Sequence, residues 1–218
     1  MTSEINESKV SIKIVYIDDR VDEGVSEYLS EIYTSQPYHD AVTQRIAIKD
    51  YQEIPFKKDD TYEKLLSNSD VREANIIIID NYLFEERNAR DKFTGKQFKL
   101  ILQEVFPFIQ TLVITQDQNL EGRNVVHKYD SLKSDIESKQ YYKNELEKRL
   151  DDAISGVLEY RDESKKLAQD IKDDGNLLFE RIDNSLRGIN AYEALTKQDI
   201  DTLVKAFKEL KENVNKKD

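Results

Sequence analysis

Five side chains in the first 130 residues have types and spacing suited to phosphate chemistry. Asp18 and Asp19 close the strand-like run VSIKIVYIDD (10–19), and Asp80 closes NIIIID (75–80), where four isoleucines lead into one carboxylate. Thr115 lies at the end of TLVITQ (111–116), and Lys128 near the end of GRNVVHKY (122–129). Carboxylates gathered in one place repel one another and need a cation. An oxygen-rich, incompletely ligated site suits Mg²⁺, which keeps several waters and takes one or two carboxylates plus phosphate oxygens. A carboxylate can attack a phosphoryl group to form an acyl phosphate, and a metal neutralises the charge that develops. A lysine and a hydroxyl suit the remaining phosphate oxygens.

These groups can meet only if their elements are neighbours. NIIIID and TLVITQ are continuous apolar runs, the pattern of strands covered on both faces in a parallel sheet. QRIAIKDY (44–51) alternates as a strand near an edge, and GRNVVHKY is a weaker fifth candidate. Between the third and fourth runs lies GKQFKLILQEVFPFI, whose Phe98, Ile101, Leu102, Val105 and Phe106 recur at helical spacing until Pro107 ends the pattern. Strand, helix, strand in this order predicts an α/β fold, a doubly wound five-stranded parallel sheet. In the order 2-1-3-4-5 the first, third and fourth strands are adjacent, and ligands sit beyond the carboxyl ends of such strands. Asp18, Asp19, Asp80, Thr115 and Lys128 then converge.

The β signal stops near residue 130, which divides the chain into an α/β domain (1–130) and an all-helical C-terminal region (131–218). Leu146, Leu150, Ala153, Val157, Tyr160, Leu167 and Ile171 follow three–four spacing, with Ser164 as the polar member. Further helices are expected over 177–191 and from the capping-box-like TKQD (196–199) onward. No proline interrupts 131–218. The stripe leaves two arrangements open: a bundle within the chain, or a coiled coil that makes a homodimer.

The 218 residues carry a formal net charge of -11, with 38% hydrophobic and 35% charged residues. An acidic chain gains nothing from neutralising a phosphate backbone. The C-terminal region holds about 17 basic and 20 acidic residues and no arginine-rich helix, so DNA is not expected as a partner. There is no cysteine, which excludes disulfides and thiolate metal sites. His39 and His127 are far apart and make a poor zinc site; His127 reads as an ordinary strand residue. No segment reaches the roughly 20 apolar residues of a membrane span. The polar start MTSEINESK lacks a signal-peptide core, so a cytoplasmic protein without a membrane partner is expected.

The ordered set of IDD, Asp80, Thr115 in VITQ and Lys128 in VVHKY resembles the receiver domain of bacterial two-component response regulators, over residues 10–130. The resemblance implies that Asp80 accepts phosphate from a histidine kinase or phosphotransfer protein. It implies that Asp18, Asp19 and Asp80, with the backbone carbonyl of Tyr82, hold Mg²⁺. Thr115 would contact the phosphate and Lys128 would pair with it. Several departures make the chain atypical. The segment between Asp19 and Asp80 is long, and the charged loop after Asp80 lacks the family's Met-Pro. The stretch from Thr115 to Lys128 is short enough that the fourth helix is reduced or absent. Val125 replaces the family's aromatic switch residue, and Tyr129 its proline. An atypical response regulator in a phosphorelay, signalling through contacts of its C-terminal helices with a downstream protein, is the leading expectation. The alternative is a receiver-like scaffold or dimerisation protein that needs no phosphorylation. A Mg²⁺-dependent phosphatase is disfavoured, because Tyr82 stands where a general-acid aspartate would be needed.

Overall fold

A computed structural model describes residues 9–42, 44–57, 60–83 and 94–170, with side chains to 166. The isoleucine run forms the buried centre: β4 (Ile76–Asp80) is covered on both faces along its whole length. On one side it pairs parallel with β1 (Lys9–Asp18), and on the other with β5 (Gln110–Thr115). β1 pairs parallel with β3 (Arg45–Pro55), and β5 with β6 (Val125–His127). The sheet has six strands rather than five, in the order β2-β3-β1-β4-β5-β6, and it is mixed. The added strand, β2 (Tyr38–Asp40), runs antiparallel on the β3 edge. Its three residues are too short and too polar to show an alternation. The turn behind it places Gln44 at φ 54, a conformation that carries no glycine signal in this sequence.

Alternation along the strands feeds two separate cores. Ile14, Tyr16, Ile76, Ile78, Ile114 and Val126 face one side, and Val15, Ile17, Ile77, Ile79 and Val113 face the other. The second face is covered by two short helices, α2 (Tyr62–Ser67) and α3 (Ser69–Glu73), and by α4 (Gly95–Val105). A reciprocal capping box between Thr94 and Gln97 starts α4. Phe98, Ile101, Leu102 and Val105 form its buried side; Phe106 falls just outside the helix, although its spacing fits. The connection 116–124 contains no helix, in keeping with its short length.

The first face is covered by α1 (Glu23–Glu27), by the π-helical turn that continues it (Tyr28–Tyr33), and by α5 (Ser138–Asp170). Leu146, Leu150, Ala153 and Val157, four members of the heptad-like stripe, pack into the same core as the strands. Tyr142, Ile154 and Leu158 join them. The change in pattern near residue 130 therefore does not separate two cores among the described residues. Through Leu158 the stripe is consumed by the sheet, so this part is neither a self-contained bundle nor a seam between chains. Each buried leucine-sized side chain there contributes on the order of 1.5–3 kcal/mol, enough to fix the helix on the sheet. Farther along, Arg161 donates to the Ser11 carbonyl and Asp162 pairs with Arg45, which tie α5 to the start of β1 and of β3. The helices expected over 177–191 and from residue 196, and the stripe member Ile171, lie outside the described residues. Among the described residues no helix is long and apolar enough to cross a membrane.

Candidate functional site

β1 and β4 end side by side, and β6 ends one strand beyond β5. This placement brings Asp18, Asp19, Asp80 and Lys128 together. Asp18 is fully buried and Asp80 is 2% exposed, whereas Asp19 is exposed. The three carboxylates offer oxygens that all lie within 4.8 Å of one another. The Lys128 ammonium reaches between them, 2.8 Å from Asp18 Oδ2 and 2.9 Å from Asp80 Oδ1. The first contact is a hydrogen bond. The second is an ion pair without hydrogen-bond alignment, so the buried Asp80 Oδ1 has no hydrogen-bond donor. The other Asp80 oxygen accepts the Tyr82 amide at 2.6 Å. Asp19 and Asp80 border an open cleft whose rim includes Asp22, Tyr82 and Asp117, while Asp18 lies buried behind it.

The electrostatics follow from burial. Desolvation, then the Asp18 charge, push the Asp80 carboxyl up to about 6, against the opposing pull of Lys128. Burial alone would lower the Lys128 value, but Asp80 and Asp18 outweigh it and hold the ammonium above the usual lysine range. Asp19 is also raised, by partial burial and by Asp18. Three carboxylates and one ammonium leave two negative charges uncompensated when all are ionised. Hard oxygen donors and excess negative charge fit a divalent cation such as Mg²⁺.

Because the folded-state pKa of Asp80 lies above the ordinary carboxyl value, its share of stability is present at low pH. That share is lost as pH rises through about 6. Asp80→Asn is therefore expected to stabilise the fold at pH 8 by at most about 3 kcal/mol in chelator, with the gain vanishing near pH 4. Thermal unfolding of both proteins across that range checks it; a difference that does not change with pH would contradict the assignment.

Thr115 ends β5 and is fully buried. Its hydroxyl accepts the Asp117 amide at 3.1 Å, and its carbonyl accepts the Lys128 amide at 2.7 Å. It thus helps to seat Lys128 through the backbone. Tyr82 arrives by its amide, and its hydroxyl donates to Asp117 Oδ2 at 3.2 Å across the cleft. Val125 is buried on the short edge strand. The His127 backbone carbonyl accepts the Tyr141 hydroxyl, a structural role.

Three supporting residues escaped the sequence reading. The Tyr16 hydroxyl donates to Asp18 Oδ2, a placement that two-residue strand alternation from Asp18 could have suggested. Asp22 caps α1 through Val25 and borders the cleft. Gly95 lets α4 start against the end of β4: its amide donates to the Asn81 carbonyl at 2.9 Å, and a Cβ there would lie 2.2 Å from the Asp80 carbonyl oxygen.

No family profile matches the chain, and no curated protein matches it at a significant level. Two solved structures are similar to it. One, of two RcsB dimers bound to two parallel DNAs, is 13% identical over 80% of this chain and 88% of that one, with a TM-score of 0.34. The other, a complex of the two-component response regulator RcsB with DNA, is 15% identical over 83% and 93%, with a TM-score of 0.33. The structural neighbours of this α/β chain are thus response regulators. At this level of similarity neither residue roles nor ligands transfer. Both neighbours are DNA complexes, a finding that runs against the expectation that DNA is not a partner, and that expectation is withdrawn. That expectation rested on charge totals and on the lack of an arginine-rich helix in 131–218, and a summed charge does not describe a local surface.

Proposed function

We propose that the chain is a receiver-like phosphoacceptor of the response-regulator kind, with Asp80 as the nucleophile. The observation that carries this reading is the buried Asp80 carboxylate, fixed by the Tyr82 amide and Lys128 at the edge of an open acidic cleft. With a pKa of about 6 the carboxylate is largely ionised at neutral pH and free to attack phosphorus. An Asp80 oxygen forms the new bond to phosphorus while the donor's bond breaks and its leaving group departs with the electron pair. Lys128, shared between Asp80 and Asp18, is placed to pair with the phosphoryl group once Asp80 carries it as an acyl phosphate. Asp18, Asp19 and Asp80, with the Tyr82 carbonyl, would hold Mg²⁺, which supplies neutralisation of charge on the phosphoryl oxygens. Thr115, at the end of β5, would contact the phosphoryl group.

Intact mass after incubation with acetyl phosphate tests the reading. One phosphoryl adduct is expected, dependent on Mg²⁺ and absent in Asp80→Asn. A folded protein that binds no Mg²⁺ and gains no adduct would overturn it. That outcome favours the second reading, a scaffold that needs no phosphorylation, which the helix-free connection 116–124 and the small Val125 support.

A further inference from the structure

The cleft is tied to α5 by a closed ring of hydrogen bonds. Lys128 Nζ and the Tyr16 hydroxyl converge on the same oxygen, Oδ2 of Asp18. The Tyr16 hydroxyl also accepts the Asp22 amide at 3.3 Å. Asp22 uses one carboxylate oxygen to cap α1, accepting the Val25 amide at 3.2 Å. Its other oxygen accepts the Tyr142 hydroxyl of α5 at 2.9 Å. That hydroxyl in turn accepts the amide of Tyr129 at 2.9 Å, and Tyr129 follows Lys128 in the chain. The ring therefore leaves Lys128 by its side chain and returns to it by its backbone. Tyr16 and Tyr142 are both fully buried, so neither hydroxyl can exchange its partners for bulk water. α1 and α5 also touch closely here: a Cβ on Gly24 would lie 3.0 Å from Ser138 Cβ and from a Tyr142 ring carbon.

We propose that Tyr142 is the positioning residue through which a change of charge in the cleft reaches α5. The inference rests on the phosphoacceptor reading. When Lys128 turns from the Asp80 carboxylate to a phosphoryl group, the load on Asp18 Oδ2 changes, and with it the Tyr16–Asp22 contact. Asp22 holds the first turn of α1 and the start of α5 with its two carboxylate oxygens, so it moves both. The route runs on the face of the sheet opposite α4, and it needs neither a helix in 116–124 nor an aromatic at Val125.

Amide hydrogen exchange of the full chain tests this, with Mg²⁺ and beryllofluoride as the phosphoryl mimic and the rise in melting temperature as the measure of binding. In wild type, exchange over 138–146 is expected to slow at least about fivefold on binding. Tyr142→Phe keeps the ring packing and should retain the thermal shift while losing most of that slowing. Tyr33→Phe is the control. It removes a different tyrosine contact to α5, the 2.7 Å bond to Asp151, and should leave the response intact. Equal slowing in Tyr142→Phe, or loss of the response in Tyr33→Phe as well, would overturn the ring as the route. So would a thermal shift in wild type without any slowing. The absence of any thermal shift in wild type would overturn the phosphoacceptor reading, and this inference with it. If Tyr142→Phe fails to fold, Asp22→Asn replaces it. Asparagine still caps α1 but presents an NH₂ to Tyr142, and a response that survives this change would also overturn the route.

Discussion

Lys128→Ala is expected to destabilise the protein by about 3–5 kcal/mol at pH 7.5 in chelator, the cost of breaking a buried ion pair from one side. The ammonium is the cation that touches both Asp18 and Asp80, and both carboxylates are almost wholly buried. Without it two buried charges face each other, with oxygens inside the 4.8 Å carboxylate cluster. The loss should shrink as pH falls below about 6. The Asp80 carboxyl, already raised and raised further without Lys128, then takes up a proton and removes the repulsion. Adding Asp80→Asn to the variant should recover much of the stability, because the remaining carboxylate keeps its Tyr16 and Arg20 donors. Urea unfolding at two pH values, for the single and double variants, measures all three effects. A loss below about 1 kcal/mol would place Lys128 among ordinary surface ion pairs and break the electrostatic account of the site.

Gly95→Ala is expected to cost about 1–3 kcal/mol or more and to impair the site together with the fold. The new methyl group would lie 2.2 Å from the Asp80 carbonyl oxygen, 2.9 Å from its carbon and 3.0 Å from Asn81 Cα. These are backbone atoms and cannot rotate aside. Either α4 lifts from the sheet, losing the Gly95–Asn81 and Lys96–Asn81 hydrogen bonds, or the end of β4 moves and takes Asp80 with it. The matched control is Gly156→Ala inside α5, where a Cβ meets Gln110 at an ordinary 3.8 Å. That change should be neutral or stabilising by up to about 1 kcal/mol, from helix propensity. Chemical denaturation and Mg²⁺ binding of both variants decide the matter. If Gly95→Ala matches Gly156→Ala in both, the close approach of α4 to β4 does not position Asp80.

The gathering of Asp18, Asp19, Asp80 and Lys128 was legible in the sequence because strand ends and side-chain types are local facts. Four isoleucines running into Asp80 describe a strand buried on both faces that stops at a charge, and the fold has that strand at its centre. The same holds for IDD at the end of β1 and for the capped helix after Thr94. Periodicity also located the apolar face of α5. It could not say what covers that face, because three–four spacing is the same whether the partner is a helix or a sheet. Only the tertiary structure decided that Leu146, Leu150, Ala153 and Val157 are spent on the sheet. Short polar pieces such as β2 were illegible for the opposite reason, since three residues carry no period. The supporting shell was hidden as well. Asp22, Tyr142 and Gly95 act through contacts between segments far apart in the chain, such as Asp22 before α1 with Tyr142 in α5, whereas Tyr16 reaches Asp18 from two residues back in the same strand. Residue type and local order set which groups can do chemistry here. Long-range packing sets which of them are buried, how Lys128 is shared, and why the Asp80 carboxyl titrates near 6.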